Sequence, residues 1–245
     1  MGSEDQEVVP TAPQSIDVLA AAWGFTEDQP LRLLHVRLVA TLRAGLPARD
    51  LWGSYLDASN RQVDFVGPGA RNVQTRAALA ISRGLICLEA GETVSALSYL
   101  LFAEAAARDH GWAAEERLLT AEIANHGSDA EQQQAMAYFY EDAQEWTDAA
   151  SKYETALAIY EEAEGDDSIT EAHRGLVHHR IAECHLGLLR LEQGEPDVLH
   201  VLIIVGLLSA SDYRQGTPDR AKTQGLIAQL SQEPWWDATM AHLES

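Results

Sequence analysis

One short pattern occurs three times, and it constrains the fold more than any other feature of the chain. Glu89-Ala-Gly-Glu-Thr-Val-Ser-Ala96 aligns with Asp142-Ala-Gln-Glu-Trp-Thr-Asp-Ala149, and both align with Glu192-Gln-Gly-Glu-Pro-Asp-Val-Leu199. Each copy follows an apolar helical stretch and opens another. The pivots Gly91, Gln144 and Gly194 lie 53 and 50 residues apart. A unit recurring at such spacing cannot bury its apolar face alone, so stacked helix pairs are expected. The fold class that follows is all-α, with antiparallel helix pairs arranged as an α-solenoid.

Between the copies the pattern is helical almost throughout, and alternating β-branched runs with hairpin turns are missing. The one strand-like patch, residues 63–66, is too short to weigh. Ser128-x-x-Glu131 and Ser168-x-x-Glu171 have the form of capping boxes, in which the Ser oxygen takes a free N–H and the Glu reaches back. Thr217-Pro218-Asp219, Pro30, Pro196 and Pro234 open helices, because the first helical N–H has no partner to lose. Gly45, Gly91, Gly111 and Gly194 fit helix stops. Helices are predicted over 16–30, 30–44, 47–59, 71–90, 93–109, 112–126, 129–142, 145–164, 169–192, 196–210, 218–231 and 234–243. Residues 1–14, polar and with Pro10 and Pro13, read as a disordered tail. An N-terminal helical segment over 15–62, repeats over 71–210 and capping helices over 211–245 complete the expected organisation. The connection at residues 60–70, with Val66-Gly-Pro-Gly69, is the expected boundary.

In the middle unit Ala137, Tyr140, Trp146, Ala149, Tyr153, Ala156 and Leu157 stand where helix pairs need small and aromatic residues in turn. The first unit offers Gly84, Gly91, Ala96, Leu100 and Ala103, and the third Leu186, Gly187, Gly194, Leu199, Ile203 and Gly206. Small residues let helix axes approach, and aromatics fill the space between pairs. The chain here resembles the tetratricopeptide repeat family, whose second-helix pattern matches Ala149-x3-Tyr153-x2-Ala156. The resemblance spans residues 71–210 and implies a right-handed superhelix. It departs from the family in period, about 50 residues against the family's roughly 34, and in carrying Glu161 where the family's helix-ending Pro stands. Longer helices, or an extra helix around 112–126, account for the longer period.

The formal net charge is −21 and the pI about 4.6, which disfavours sequence-general nucleic-acid binding by the whole surface. The charge is unevenly placed. Residues 31–83 hold eight Arg against Asp50, Asp57 and Asp64, whereas 84–245 hold seven Arg and two Lys against 29 acids. A basic partner on the acidic part, or head-to-tail self-contact, fits that polarity. Arg over Lys, with abundant Ala, suggests a GC-rich bacterial source. Cys87 and Cys184 stand in apolar helical context, as free buried thiols do. The N-terminus has no apolar signal segment, and the longest apolar run, 201–208, is far short of the roughly 20 residues of a membrane span. A cytoplasmic protein that neither spans nor binds a membrane is expected.

Motifs that carry chemistry are weak. His173, His178, His179 and His185 cluster, and His179 and Glu183 stand at i, i+4, where both can reach one metal. No third ligand is evident, so neither a metal nor another cofactor is expected, and a metal-dependent helical-repeat enzyme is the weakest reading. The segment from Val66 to Asn72 ends at a helix N-terminus but lacks the Gly-Lys-Ser/Thr of a phosphate loop and reads as a turn. Glu161-Glu162 and Asp166-Asp167 read as solvated charge, and no nucleophile elbow occurs, so no catalytic residue is assigned.

The expected function is therefore protein binding by an adaptor or regulatory scaffold. The resemblance implies a concave groove lined by first helices, with Glu131, Gln134, Tyr138, Glu141 and Asp142 facing it in the middle unit. Ile81, Leu85 and Leu88 in the first unit and Cys184 and Leu188 in the third give apolar flanks. Family members that clamp acidic peptide tails use Lys, Arg and Asn at such positions, so a basic or amphipathic segment is the expected ligand. Trp235 and Trp236 are either a terminal cap or an aromatic anchor for a partner or a homo-oligomer. A self-assembling structural module is the alternative.

Overall fold

A computed structural model describes residues 15–25, 29–66, 69–162, 168–213 and 218–245. The 1–14 tail, the Gly67-Pro68 link, the Asp166-Asp167 pair and the Thr217 cap lie outside the described residues. Among the described residues the chain is all-α, with twelve α-helices, one π-helical turn and no strand. None of these helices is long and apolar enough to cross a membrane. The chain forms two compact units, Met1–His126 and Gly127–Ser245.

The first unit holds α1 (Ile16–Ala20), continued by the π-helical turn Ala21–Phe25, then α2 (Gln29–Arg43), α3 (Arg49–Val66), α4 (Ala70–Glu89), α5 (Thr93–Asp109) and α6 (Ala113–Asn125). Helix α4 is its centre. Ala77, Ala78, Leu79, Ala80, Ile81 and Ser82 are all buried, so α4 has no solvent face along that stretch. Helices α1, α2, α3 and α5 all pack on it. Several of its polar groups pair with α2 and α3. The Ser82 hydroxyl lies 2.6 Å from the Tyr55 hydroxyl and 2.7 Å from His35 Nδ1, and Arg83 donates to Ser59 Oγ at 2.6 Å. These bonds tie α2 and α3 to α4. The division between the two units falls between α6 and α7, and α3 runs as far as Val66.

The second unit holds α7 (Asp129–Asp142), α8 (Trp146–Glu162), α9 (Ser168–Arg190), α10 (Pro196–Tyr213), α11 (Pro218–Leu230) and α12 (Pro234–Leu243). Successive helices pack from α7 to α11, and α12 packs on α10. The capping box at α7 forms: Ser128 N donates to Glu131 Oε2 at 2.8 Å and Glu131 N to Ser128 Oγ at 3.4 Å. One core joins Ala137, Ala149, Tyr153, Ala156, Val177 and Ile181, and a second joins Ala182, Ile203, Ile204, Leu207, Leu230 and Trp236.

The repeated pattern is a helix stop. Gly91, Gln144 and Glu192 take φ of 76°, 61° and 55°, and the next N–H of each reaches back five residues. Those bonds are Glu92 N to Cys87 O, Glu145 N to Tyr140 O and Gln193 N to Leu188 O, each 2.9 Å. The geometry is the left-handed cap that satisfies the last carbonyls of a helix. The third pivot is thus Glu192, two residues before the Gly194 of the sequence alignment. The helix expected around 112–126 exists as α6, so the first repeat interval contains an additional helix and is longer.

Close approach sets the second unit. A Cβ on Gly187 would lie 2.6 Å from Trp146 Cδ2, and one on Gly206 would lie 3.1 Å from both Ala182 Cβ and His178 O. Gly187→Ala is therefore expected to destabilise the protein by about 1–3 kcal/mol, measured by urea unfolding, although Ala is the better helix former. Gln144→Gly relieves a left-handed L-residue and is expected to stabilise by about 1 kcal/mol in the same assay.

Candidate functional site

The best-connected polar cluster in the second unit is built across α7, α8 and α9. Arg180 on α9 reaches Glu141 at 3.1 Å and Glu183 at 2.8 Å, and lies over the Tyr138 ring, 5.2 Å from its centroid. Tyr153 on α8 is fully buried and donates to Glu141 Oε2 at 2.8 Å. Burial raises the Glu141 carboxyl above its ordinary value, against the opposing pull of Arg180 and the Tyr153 hydroxyl. Burial acts the same way on Glu183, but the His179 hydrogen bond and the Arg180 charge outweigh it and hold that carboxyl low. Tyr160 donates to Gln134 Oε1 at 3.1 Å and lies 2.8 Å from His173 Nδ1.

These bonds decide where the groove candidates stand. Gln134 is completely buried and belongs to the interior. Glu141 faces Arg180 inside the unit, and Tyr138 is held between Arg180 and the edge of the Tyr153 ring. Glu131 serves the α7 cap and stays partly exposed, while Asp142 is exposed at the α7–α8 turn. Trp236 is buried in the second core and Trp235 stacks on His200 at 4.1 Å with the rings 1° from parallel. So the structure brings Tyr138 and Glu141 together, buries Gln134 and Trp236, and leaves Asp142 to solvent. The missing signal was Arg180, which the sequence places 39 residues from Glu141 and which no local pattern links to it.

Of the clustered histidines, His173 and His179 touch this group. His179 Nδ1 lies 3.1 Å from Thr223 Oγ1 and His179 Nε2 lies 3.5 Å from Glu183. Both ring nitrogens are engaged. Among the described residues no three His, Cys, Asp or Glu side chains form a metal-binding group.

In the first unit an open cleft of about 430 Å³ is lined by Leu38, Leu42, Trp52, Ile86 and Tyr99, with Arg49, Glu92 and Ser95 as its polar groups. Cys87 also lines it, and burial pushes that thiol up to about 11, so it is protonated and a poor nucleophile at neutral pH. Cys184 is likewise raised, to about 12, chiefly by burial.

Two surface features were not drawn from the sequence. The first lies on α10. Val198, Leu202, Val205 and Leu208 are 52%, 39%, 45% and 40% exposed, and helical spacing puts all four on one face. No Asp, Glu, Lys or Arg occurs from Val198 to Ser211. That uncharged run was visible in the sequence, but an all-apolar helix ordinarily reads as a buried one. The second lies on α2, where exposed Leu33 (68%) and Val36 (58%) stand among exposed Arg32, Arg37 and Arg43.

No family model, curated protein or solved structure matches the chain. The class defined by the fold is accordingly that of an all-helical protein of two units, each with its own core.

Burial also lowers His178 and His185 below the ordinary imidazole value, so both are neutral in the fold. In the unfolded chain His takes up a proton near pH 6.5. Stability is therefore fully present above about pH 6.5 and is lost as pH falls below it, because the unfolded state binds the protons first. Between pH 7 and about 5.5, His178→Gln/His185→Gln is expected to show a shallower fall in urea midpoint than the wild type.

Proposed function

We propose that the protein is a binding module, not an enzyme, that takes a basic or amphipathic segment of another protein. The observation that carries this reading is the charge of the second unit's surface. Among its described residues the exposed cations are Arg190 and Lys222 alone. Exposed carboxylates gather along the α7–α8 turn and α8, at Asp142, Glu145, Asp148, Glu154, Glu161 and Glu162. A surface of one sign attracts the opposite sign and rejects its own, which gives on-rate and specificity.

The finer fold reading is one of tetratricopeptide-like helix pairs, α4–α5 in the first unit and α7–α8 and α9–α10 in the second. Its support is the packing of successive helices and the small-residue crossings at Gly187 and Gly206. Of the groove residues drawn from the resemblance, Asp142 is the most accessible, with Glu131 and Tyr138 partly so. Glu141 contributes indirectly, because its pair with Arg180 holds Tyr138 in place.

The test is fluorescence anisotropy with two labelled helical peptides of equal length, one of Leu and Lys and one of Leu and Glu. The Leu/Lys peptide is expected to bind, and its affinity to fall several-fold between about 0.05 and 0.3 M salt. Asp142→Asn/Glu145→Gln/Asp148→Asn, which spares the Glu131 cap and the Glu141 pair, is expected to weaken it further. Equal affinity for the Leu/Glu peptide, or unchanged binding by the triple variant, removes the reading.

A further inference from the structure

Two exposed helix faces, one in each unit, are complementary in chemistry. On α2 the exposed apolar residues Leu33, Val36 and Ala40 form a strip. Helical spacing places Arg32 along one side of it and Arg37 along the other, Arg43 at its end is already paired with Glu89 of α4, and α2 itself contains no acidic residue. On α10 the strip of Val198, Leu202, Val205 and Leu208 is apolar and uncharged along its length, and carboxylates stand at both ends. Glu195 and Asp197 are exposed at the start and Asp212 near the finish.

At 1.5 Å per residue the α10 strip runs about 15 Å, and Arg32 to Arg43 spans about 16 Å along α2. The α2 apolar strip itself, Leu33 to Ala40, runs about 10 Å and covers part of the α10 strip. An apolar face this long, left uncovered on a highly charged protein, marks a contact surface.

We infer that a second copy of this chain covers the α10 strip with its α2 face, so that copies associate head to tail. Charge selects this pairing over the symmetric ones. Two α10 faces placed together would bring Glu195, Asp197 and Asp212 against the same carboxylates. Two α2 faces would bring guanidinium against guanidinium. Only α2 on α10 joins apolar strip to apolar strip with opposite charges around the rim. The contact is heterologous, so each copy keeps one free donor face and one free acceptor face, and association continues into a chain or closes as a ring. One helix on one helix buries less than a standard interface, so the association is weak and concentration-dependent. This contact does not involve the acidic α7–α8 turn and stands apart from the peptide-binding reading.

The experiment is sedimentation velocity on the full chain across about 5–200 µM at low and high salt. Wild type is expected to gain mass with concentration and to lose the gain at high salt. Leu33→Gln/Val36→Gln blocks the α2 face, and Leu202→Gln/Val205→Gln blocks the α10 face. All four side chains are exposed, so thermal midpoints should match the wild type. Each variant alone is expected to stay monomeric. Mixed, they are expected to form a 1:1 dimer that grows no further, because one intact α2 meets one intact α10. A wild type that stays monomeric throughout overturns the inference. So does dimer formation by the α2 variant alone, which would mean that α10 pairs with itself, and so does a mixture that stays monomeric.

Discussion

The arrangement of the second unit depends on how closely three helices approach. The indole of Trp146, in the first turn of α8, lies against α9 where a side chain at position 187 would stand. One helix further, Gly206 on α10 lies against Ala182 and the backbone of α9. Dispersion falls steeply with separation, so these hydrogen-only positions let α9 pack tightly on both sides at once. The two cores of the unit meet α9 from opposite sides: Val177, Ile181 and Cys184 serve one, and Ala182 and Leu186 the other. Little of α9 is left for solvent along that stretch.

That tight packing also explains the polar centre. A helix packed on both sides leaves a long charged side chain only partly in water. Arg180 runs over Tyr138 to Glu141 and Glu183, and the buried Tyr153 hydroxyl completes the Glu141 contacts. Isolated, each of these charges would be costly to bury. Here Arg180 and Glu183 keep 31% and 35% of their side-chain surface exposed, and each carboxylate has the guanidinium as its partner. The first unit uses neutral groups for the same purpose, with Ser82 shared between Tyr55 and His35. In both units polar contacts tie neighbouring helices together.

Much was legible locally. Helix ends followed from caps, prolines and glycines, whose effects act over three or four residues. The structure reproduces most expected helices within a few positions, apart from the extension of α3 to Val66 and of α10 to Tyr213 and from the one expected over 16–30, where α1 ends at Ala20 and a π-helical turn follows to Phe25. The three-fold pattern identified a recurring helix stop, but it chose Gly194 as the third pivot. Glycine preference pointed there, whereas the hydrogen bonds place the left-handed residue at Glu192, which tolerates φ of 55° within an otherwise satisfied cap. The candidate binding residues were less legible. Gln134 and Glu141 have the character of surface residues on a polar helix face, yet Tyr160 and Arg180 claim them from other helices.

The sequence by itself determined the all-helical class, most helix boundaries, the recurring stop and the acidic second half, because each arises from short-range chemistry or simple composition. Tertiary structure alone decided which side chains reach solvent. Burial is a property of a residue's neighbours in space, and those neighbours come from helices tens of residues away. For that reason Gln134 and Trp236 turned inward, while Val198, Leu202, Val205 and Leu208, apolar enough for any core, remained on the surface of α10.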